Sequence, residues 1–374
     1  MKYFLGFDIG SSSVKAALLE ADSGKPLAAA FSPETEMAIQ APEPGFAEQD
    51  PELWWEELIR ATRLLRKKHA FSKDEIGGIG ISYQMHGLVC IGKDHKPLRP
   101  AIIWCDSRAV AYGNQAFDQL GHSFCLERFL NSPGNFTASK LKWVKENEPG
   151  VYKKIFRILL PGDFIALKLT GEAVTTVSGL SEGIFWDYRE NNIAKTLLDF
   201  YGIDSGLLAP VVPTFGDQGK LNAEAAALLD IAAGTPVCYR AGDQPNNAFS
   251  LNVLEPGEIA ATAGTSGVVY GVTGQAAHDP RSRVNPFVHV NHRPERPRYG
   301  ILMCLNGTGI LNSWLRKNFF GSSSYDEMNV EAEKAEPGAG GIFCYPFGNG
   351  AERILENRNP GAVIQGIDFN RHSR

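Results

Sequence analysis

The strongest constraint on this chain is a local pattern that occurs twice. Residues 3–9 and 13–20 are β-rich runs joined across Gly10-Ser11-Ser12, and residues 258–263 and 267–273 repeat the arrangement around Gly264-Thr265-Ser266. Two such runs across a short turn of small residues read as a hairpin. A second hairpin of the same kind far downstream predicts two domains, each opening on a hydroxyl-rich tip. Between the hairpins, helix and strand signals alternate, the pattern of an α/β protein. Residues 26–32 suit a third antiparallel strand. Asp50-Pro51 opens a helix, with Asp as N-cap and Pro at the first helical position, and Trp54, Leu58, Ala61 and Leu65 line one face of it. Strands are expected at 76–82 and near 101–104, and helices at 137–147, 162–170, 192–201 and 222–229. A strand-helix unit at 235–251 leads into Pro256-Gly257, the expected domain boundary.

Composition narrows the function classes. With 37 basic and 42 acidic residues, the net charge of −5 offers no electrostatic footprint for nucleic acid or for an anionic membrane. The six cysteines, at 90, 105, 125, 238, 304 and 344, form no C-x-x-C pair, which argues for reduced thiols in a cytoplasmic protein. Asp8 interrupts the apolar N-terminal stretch, so no signal peptide is expected, and the uncharged run Ile259–Ala277 is too polar to span a bilayer.

The usual nucleotide fingerprints are missing: there is neither a P-loop nor a strand-linked G-x-G-x-x-G. Gly179-Leu180-Ser181-Glu182-Gly183 matches the G-x-S-x-G nucleophile pattern, but the aromatic run that follows does not suit the strand-turn-helix it requires. His289 and His292 have the spacing of a metal pair without a third ligand nearby, so hydrogen-bonded histidines are the better expectation. The first tip carries more. Backbone N–H groups and the hydroxyls of Ser11, Ser12 and Ser13 after Gly10 can form an anion nest, to which Lys15 adds positive charge. Asp8, at the end of its strand, can hold Mg²⁺ through water. Asp243, after a strand and before a helix, is either a helix cap or a general base. Met85-His86-Gly87 follows a strand, where His86 can exchange hydrogen bonds with sugar hydroxyls or serve the core. Trp104-Cys105-Asp106-Ser107-Arg108 offers an aromatic face, a carboxylate and a guanidinium to a polyol; its alternative is a structural Asp–Arg pair.

Taken in order, these segments resemble the FGGY carbohydrate kinases over essentially the whole chain. The first tip is similar to the family's D-x-G-[TS] segment, with Ser11 in place of Thr. Tyr83-Gln84-Met85-His86-Gly87 resembles the sugar-contacting G-Q-M-H-G of members that act on xylulose, where glycerol-specific members carry Arg-Glu. Trp104–Arg108 is similar to W-N-D-x-R, and Lys140-Leu141-Lys142-Trp143-Val144 to the first family signature. The resemblance implies two ribonuclease-H-like (actin-like ATPase) domains: a sugar-binding domain over 1–254 and part of an ATP-binding domain over 255–374, the second incomplete. It implies ATP and Mg²⁺, with D-xylulose as acceptor, other ketoses and polyols being alternatives within the family. A catalytically dead sugar-binding fragment is the alternative outside it, and without the adenosine segment this chain by itself is expected to be inactive.

In the same implied site, Asp243 is the base and Asp8 acts through the metal. Met85, His86, Trp104, Asp106, Arg108 and Gln244 place the sugar, and Gly10 to Ser13, Lys15, Gly264, Thr265 and Gly309 hold phosphates. The partners are small molecules, and a homodimer is compatible with the pattern. Residues 362–374 resemble the opening of the second signature, a strand with the start of a helix, and the family's adenosine segment is expected beyond them.

Overall fold

The computed structural model describes residues 2–264, 266–321, 323–348, 353–356, 358 and 360–370. The first hairpin is the seed of a five-stranded sheet. Strands β1 (Tyr3–Ile9) and β2 (Val14–Glu20) pair antiparallel, and β3 (Pro26–Ser32) extends β2 on the outside. Helix α1 (Pro51–Lys68) begins as expected, with the Asp50 carboxylate accepting from the Glu52 N–H at 3.0 Å. Trp54, Leu58, Ala61 and Leu65 are all fully buried, where α1 lies across β2 and β3. Removing four such side chains from water is the main local reason for this layer, at roughly 1.5–3 kcal/mol for each large one.

On the other side of β1, the chain crosses over and returns parallel. Strand β4 (Ile76–Tyr83) pairs with β1, and β5 (Val237–Gly242) pairs with β4, giving the order β5-β4-β1-β2-β3. Between β4 and β5 come helices α2 (Thr137–Asn147), α3 (Pro161–Thr170) and α4 (Val177–Glu182). Helix α5 (Asp243–Ser250) follows β5 without a loop.

The second hairpin founds a second sheet. Strands β6 (Ile259–Ala263), β7 (Gly267–Thr273), β8 (Asn285–Val288) and β9 (Tyr299–Leu305) pair antiparallel in the order β6-β7-β9-β8. Its inner residues Tyr270, Val272, Phe287 and Leu302 share one hydrophobic cluster with Phe136, Leu141 and Leu180 of the first unit. Polar ties cross the same seam: Asn131 Nδ2 donates to Pro286 O at 2.7 Å, and Ser178 Oγ to Val288 O at 3.2 Å. Helix α6 (Thr308–Phe319) continues from β9 and buries none of its residues.

Several expectations need correction. The 192–201 segment is not one helix: Asn192–Ile193 pairs with Trp186–Asp187 as a short ladder, and the helix starts at Lys195. The strand near 101–104 is only Ala101–Ile102. Two helices went unread, Val110–Leu120 and His122–Phe129. They meet at Gly121, which holds a φ of +96°, and neither has a side-chain N-cap bond to announce it. At the far end, Gly361–Gln365 is a strand paired with Phe343–Phe347; residues 366–370 are not helical, and 371–374 lie outside the described residues. None of the six cysteines forms a disulfide among the described residues. Among the described residues, no helix is long and apolar enough to cross a membrane.

Candidate active site at the ends of the parallel strands

Register brings the separate motifs together. Ile9 on β1 lies opposite Tyr83 on β4, and Gly242 on β5 lies opposite the same Tyr83. Parallel strands end on the same side, so three segments leave the sheet side by side: the Gly10–Ser13 tip, Gln84-Met85-His86 and Asp243. Adjacent strands are about 4.8 Å apart, so β1 and β5 end roughly 10 Å from each other. That is the scale of a small substrate.

Asp243 occupies the first position of α5, and the capping position belongs to Gly242. The simple cap reading therefore fails. Its carboxylate is half-buried, accepts from the backbone and side chain of Gln244, and has its pKa pushed up to about 7. The largest cause is burial; the charge of Asp8 comes second. A carboxylate titrating near neutrality suits a general base. Gln244, expected at the sugar, is placed as a partner of Asp243.

His86 sits where β4 turns away, with a φ of +60°, a left-handed conformation that costs a non-glycine residue roughly 1 kcal/mol. Its ring Nδ1 lies 3.0 Å from the carbonyl oxygen of Glu182. A carbonyl only accepts, so Nδ1 carries the proton and Nε2 is left as the ring's acceptor. Burial lowers the His86 pKa to about 3, keeping that tautomer neutral. Phe136 and Phe287 flank the ring at 4.8 and 5.3 Å between centroids, the second of them from β8. Met85 is buried against Gly242: a Cβ on that glycine would lie 2.5 Å from Met85 Cγ.

The Trp104–Arg108 segment divides in two. Trp104 is 51% exposed, and its indole Nε1 reaches Ser11 Oγ at 3.4 Å, beside the first tip. Asp106 and Arg108 are corrected from sugar contacts to scaffold. Asp106 is fully buried, accepts from the backbone N–H of Ala47 at 2.6 Å and pairs with Arg108 Nε at 2.8 Å. The Arg108 guanidinium also bonds Glu48 at 2.6 Å and covers the ring of Phe46 at 3.7 Å. Every one of these contacts belongs to the fold, as the alternative reading required.

At the phosphate tips, Gly10 N–H donates to Ser13 O at 3.1 Å and Gly264 N–H to Ser266 O at 3.1 Å, so the second turn is one residue tighter than the first. Ser11, Ser12 and Ser13 are all at least partly exposed. Lys15 pairs with Asp8 at 2.7 Å, both partly exposed, which sets the two charges side by side at the first tip. The Gly309 N–H donates to Gly264 O at 3.0 Å, tying α6 to the second tip. Thr265, expected beside it, lies outside the described residues. Among the described residues no cluster of three or more acidic, His or Cys side chains could hold a metal. Mg²⁺ typically takes one or two carboxylates plus phosphate and water, and Asp8 and Asp243 suit that role.

Three site neighbours had no signal as site residues in the sequence. Lys140, noted only as part of a signature, is fully buried and donates to His86 O at 2.8 Å and Ile103 O at 2.9 Å. Burial lowers its pKa to about 7. Glu182 lies within the G-x-S-x-G match, and Phe287 comes from the second sheet. That match is helical: α4 contains Ser181, buried, with its hydroxyl donating to Ser178 O. His289 is also accounted for, between Tyr270 Oη and Val253 O.

The model of the N-terminal domain of the FGGY family of carbohydrate kinases matches residues 3–250. The chain belongs to that family. As an FGGY kinase it is an ATP-dependent sugar phosphotransferase built on actin-like domains. It is 29% identical to a xylulose kinase of Escherichia coli over 367 residues, covering 98% of this chain and 72% of the relative. A crystal structure of a xylulose-type kinase from Brucella ovis superposes with a TM-score of 0.86 at 29% identity, covering 98% of this chain and 73% of the other. A gluconate kinase from Lactobacillus acidophilus shares the fold, with a TM-score of 0.87 at 21% identity.

Proposed function

We propose that this FGGY kinase phosphorylates D-xylulose on its 5-hydroxyl. The observation that carries the reading is the placement of Met85 and His86, with Nε2 as acceptor, at the strand end beside Asp243. Support also comes from relatives named as xylulose kinases, the E. coli protein and one from Staphylococcus xylosus at 26% identity among them. Asp243 accepts the hydroxyl proton as the sugar oxygen bonds to phosphorus and the bond to the ADP oxygen breaks. Met85 and His86 orient the sugar, with Trp104 at its edge. Mg·ATP supplies the phosphoryl group and a cation that offsets its charge. Asp8 would hold that cation through water, and Lys15, freed from Asp8, would turn to phosphate. The hydroxyl-rich tips, with Thr265 and Gly309 at the second, would receive phosphate oxygens. This assigns sugar binding to residues 1–254 and ATP binding to 255–374, in a cytoplasmic enzyme.

The test is a coupled ADP-release assay over D-xylulose, D-ribulose, L-fuculose, glycerol and D-gluconate. D-xylulose should give the highest kcat/KM. A preference for glycerol or gluconate of tenfold or more over D-xylulose would refute the substrate assignment.

A further inference from the structure

Glu182 is a buried carboxyl that touches both halves of the site, and phosphoryl transfer gives it no chemical task. Its Oε1 accepts the backbone N–H of His86 at 3.2 Å, and its own carbonyl accepts from His86 Nδ1 at 3.0 Å. Its Oε2 faces the other way. A Cβ on Gly242 would lie 2.5 Å from that oxygen, so the carboxyl rests against the residue before Asp243. Glu182 is 1% exposed, and Lys140 completes the grip by donating to the His86 carbonyl at 2.8 Å. Main chain and ring of a residue in the left-handed region are thus held by one side chain and one carbonyl of the same glutamate.

We infer that Glu182 is a positioning residue for the sugar: it locks His86 in the left-handed backbone and the Nδ1–H tautomer, and ties that lock to the strand end carrying Asp243. It never contacts the reacting atoms. Without the side chain, the His86 N–H would be left without its acceptor, and the backbone would relax toward ordinary φ. His86 Nε2 would then leave the place where it meets a hydroxyl. The penalty falls on sugar binding, because neither the phosphate tips nor the Asp243 carboxyl depends on the His86 ring.

The inference rests on the sugar-site reading above, and the experiment separates the two. The wild-type enzyme is first assayed on the sugar panel; if D-xylulose is not the preferred substrate, the substrate reading fails and the Glu182 variants are measured on whichever sugar is. Glu182→Ala should raise KM for that sugar by about tenfold or more, with KM for ATP and kcat changed less than about threefold. Glu182→Gln keeps an Oε1 acceptor and should bring the sugar KM back to within about threefold of wild type. In a His86→Ala background, the further change Glu182→Ala should alter sugar KM by less than about twofold, since its partner is already gone. Should Glu182→Ala fold poorly, ¹⁵N-histidine spectra of Glu182→Gln and wild type report the His86 tautomer directly, and loss of the Nδ1–H form in the wild type would overturn the inference. So would additive effects in the double variant, or a parallel rise in both KM values.

Discussion

Replacing Asp243 with Asn should separate catalysis from stability, and in opposite directions. The carboxyl titrates near 7 in the fold against an ordinary value of 3.8, because burial and Asp8 both disfavour its charge. A group whose folded pKa is raised binds its proton more tightly in the native state. Its ionisation therefore costs stability as pH climbs from about 4 to about 7, and the cost is complete above 7. A shift of about three units has a ceiling of roughly 4 kcal/mol. The carboxylate is only half-buried, so about 1–2 kcal/mol is the realistic share. Against this, Asn gives up the favourable charge in the first turn of α5, roughly 0.5 kcal/mol. The Asn variant should gain about 1 kcal/mol at pH 8, roughly 1–2 °C in Tm, and the gain should shrink toward pH 4. Turnover should fall about 10²–10⁴-fold while sugar affinity stays within a few-fold. Melting curves at both pH values and the coupled assay read all of this. Near wild-type turnover would remove Asp243 from the base role, and a Tm lowered equally at pH 4 and pH 8 would mark it as a plain structural contact.

Other outcomes follow from the same geometry. In the wild type, kcat/KM should rise about tenfold per pH unit below 7 and level off above it, as the base ionises; a flat profile from pH 5.5 to 8 would refute the assignment. Gly242→Ala should lower stability by about 1–3 kcal/mol and impair sugar binding, because its Cβ would meet Met85 and Glu182 at 2.5 Å; chemical denaturation and KM measure both effects. Asp106→Ala should cost about 3–5 kcal/mol by leaving Arg108 short of a buried partner, as chemical denaturation would measure. Trp104→Ala should do the reverse, with Tm nearly unchanged and sugar KM raised about tenfold, since the ring is half exposed beside the first tip.

The parts of this fold legible in the sequence are those governed by local chemistry. The hairpins announce themselves because their tips are small and polar, and α1 because Asp50-Pro51 caps it and four apolar residues recur at helical spacing. The helices at 110–129 lack side-chain N-caps and carry Gly113 and Gly121 where a break is expected, so nothing local marks their starts. The site divides along the same line. Asp8 lies at the end of a strand and His86 and Asp243 follow one, positions visible in the chain. Glu182 and Phe287 reach His86 only through tertiary packing, one from a short helix and one from the second sheet.

The Trp104–Arg108 segment shows why residue type alone misleads. An aromatic, a carboxylate and a guanidinium within five residues suit a sugar equally well as a list, yet desolvation sorts them. A guanidinium taken from water needs several partners, and Arg108 finds them in Asp106, Glu48 and the face of Phe46. Once those bonds are made, neither charge has capacity left for a ligand that comes and goes. Trp104 has no such demand, because its ring tolerates exposure. The buried pair instead fixes the loop from which Trp104 projects, and Lys140 joins that loop at Ile103 O to the carbonyl of His86. The Trp104 ring and the His86 acceptor are thus set at a fixed separation by buried side chains of the scaffold.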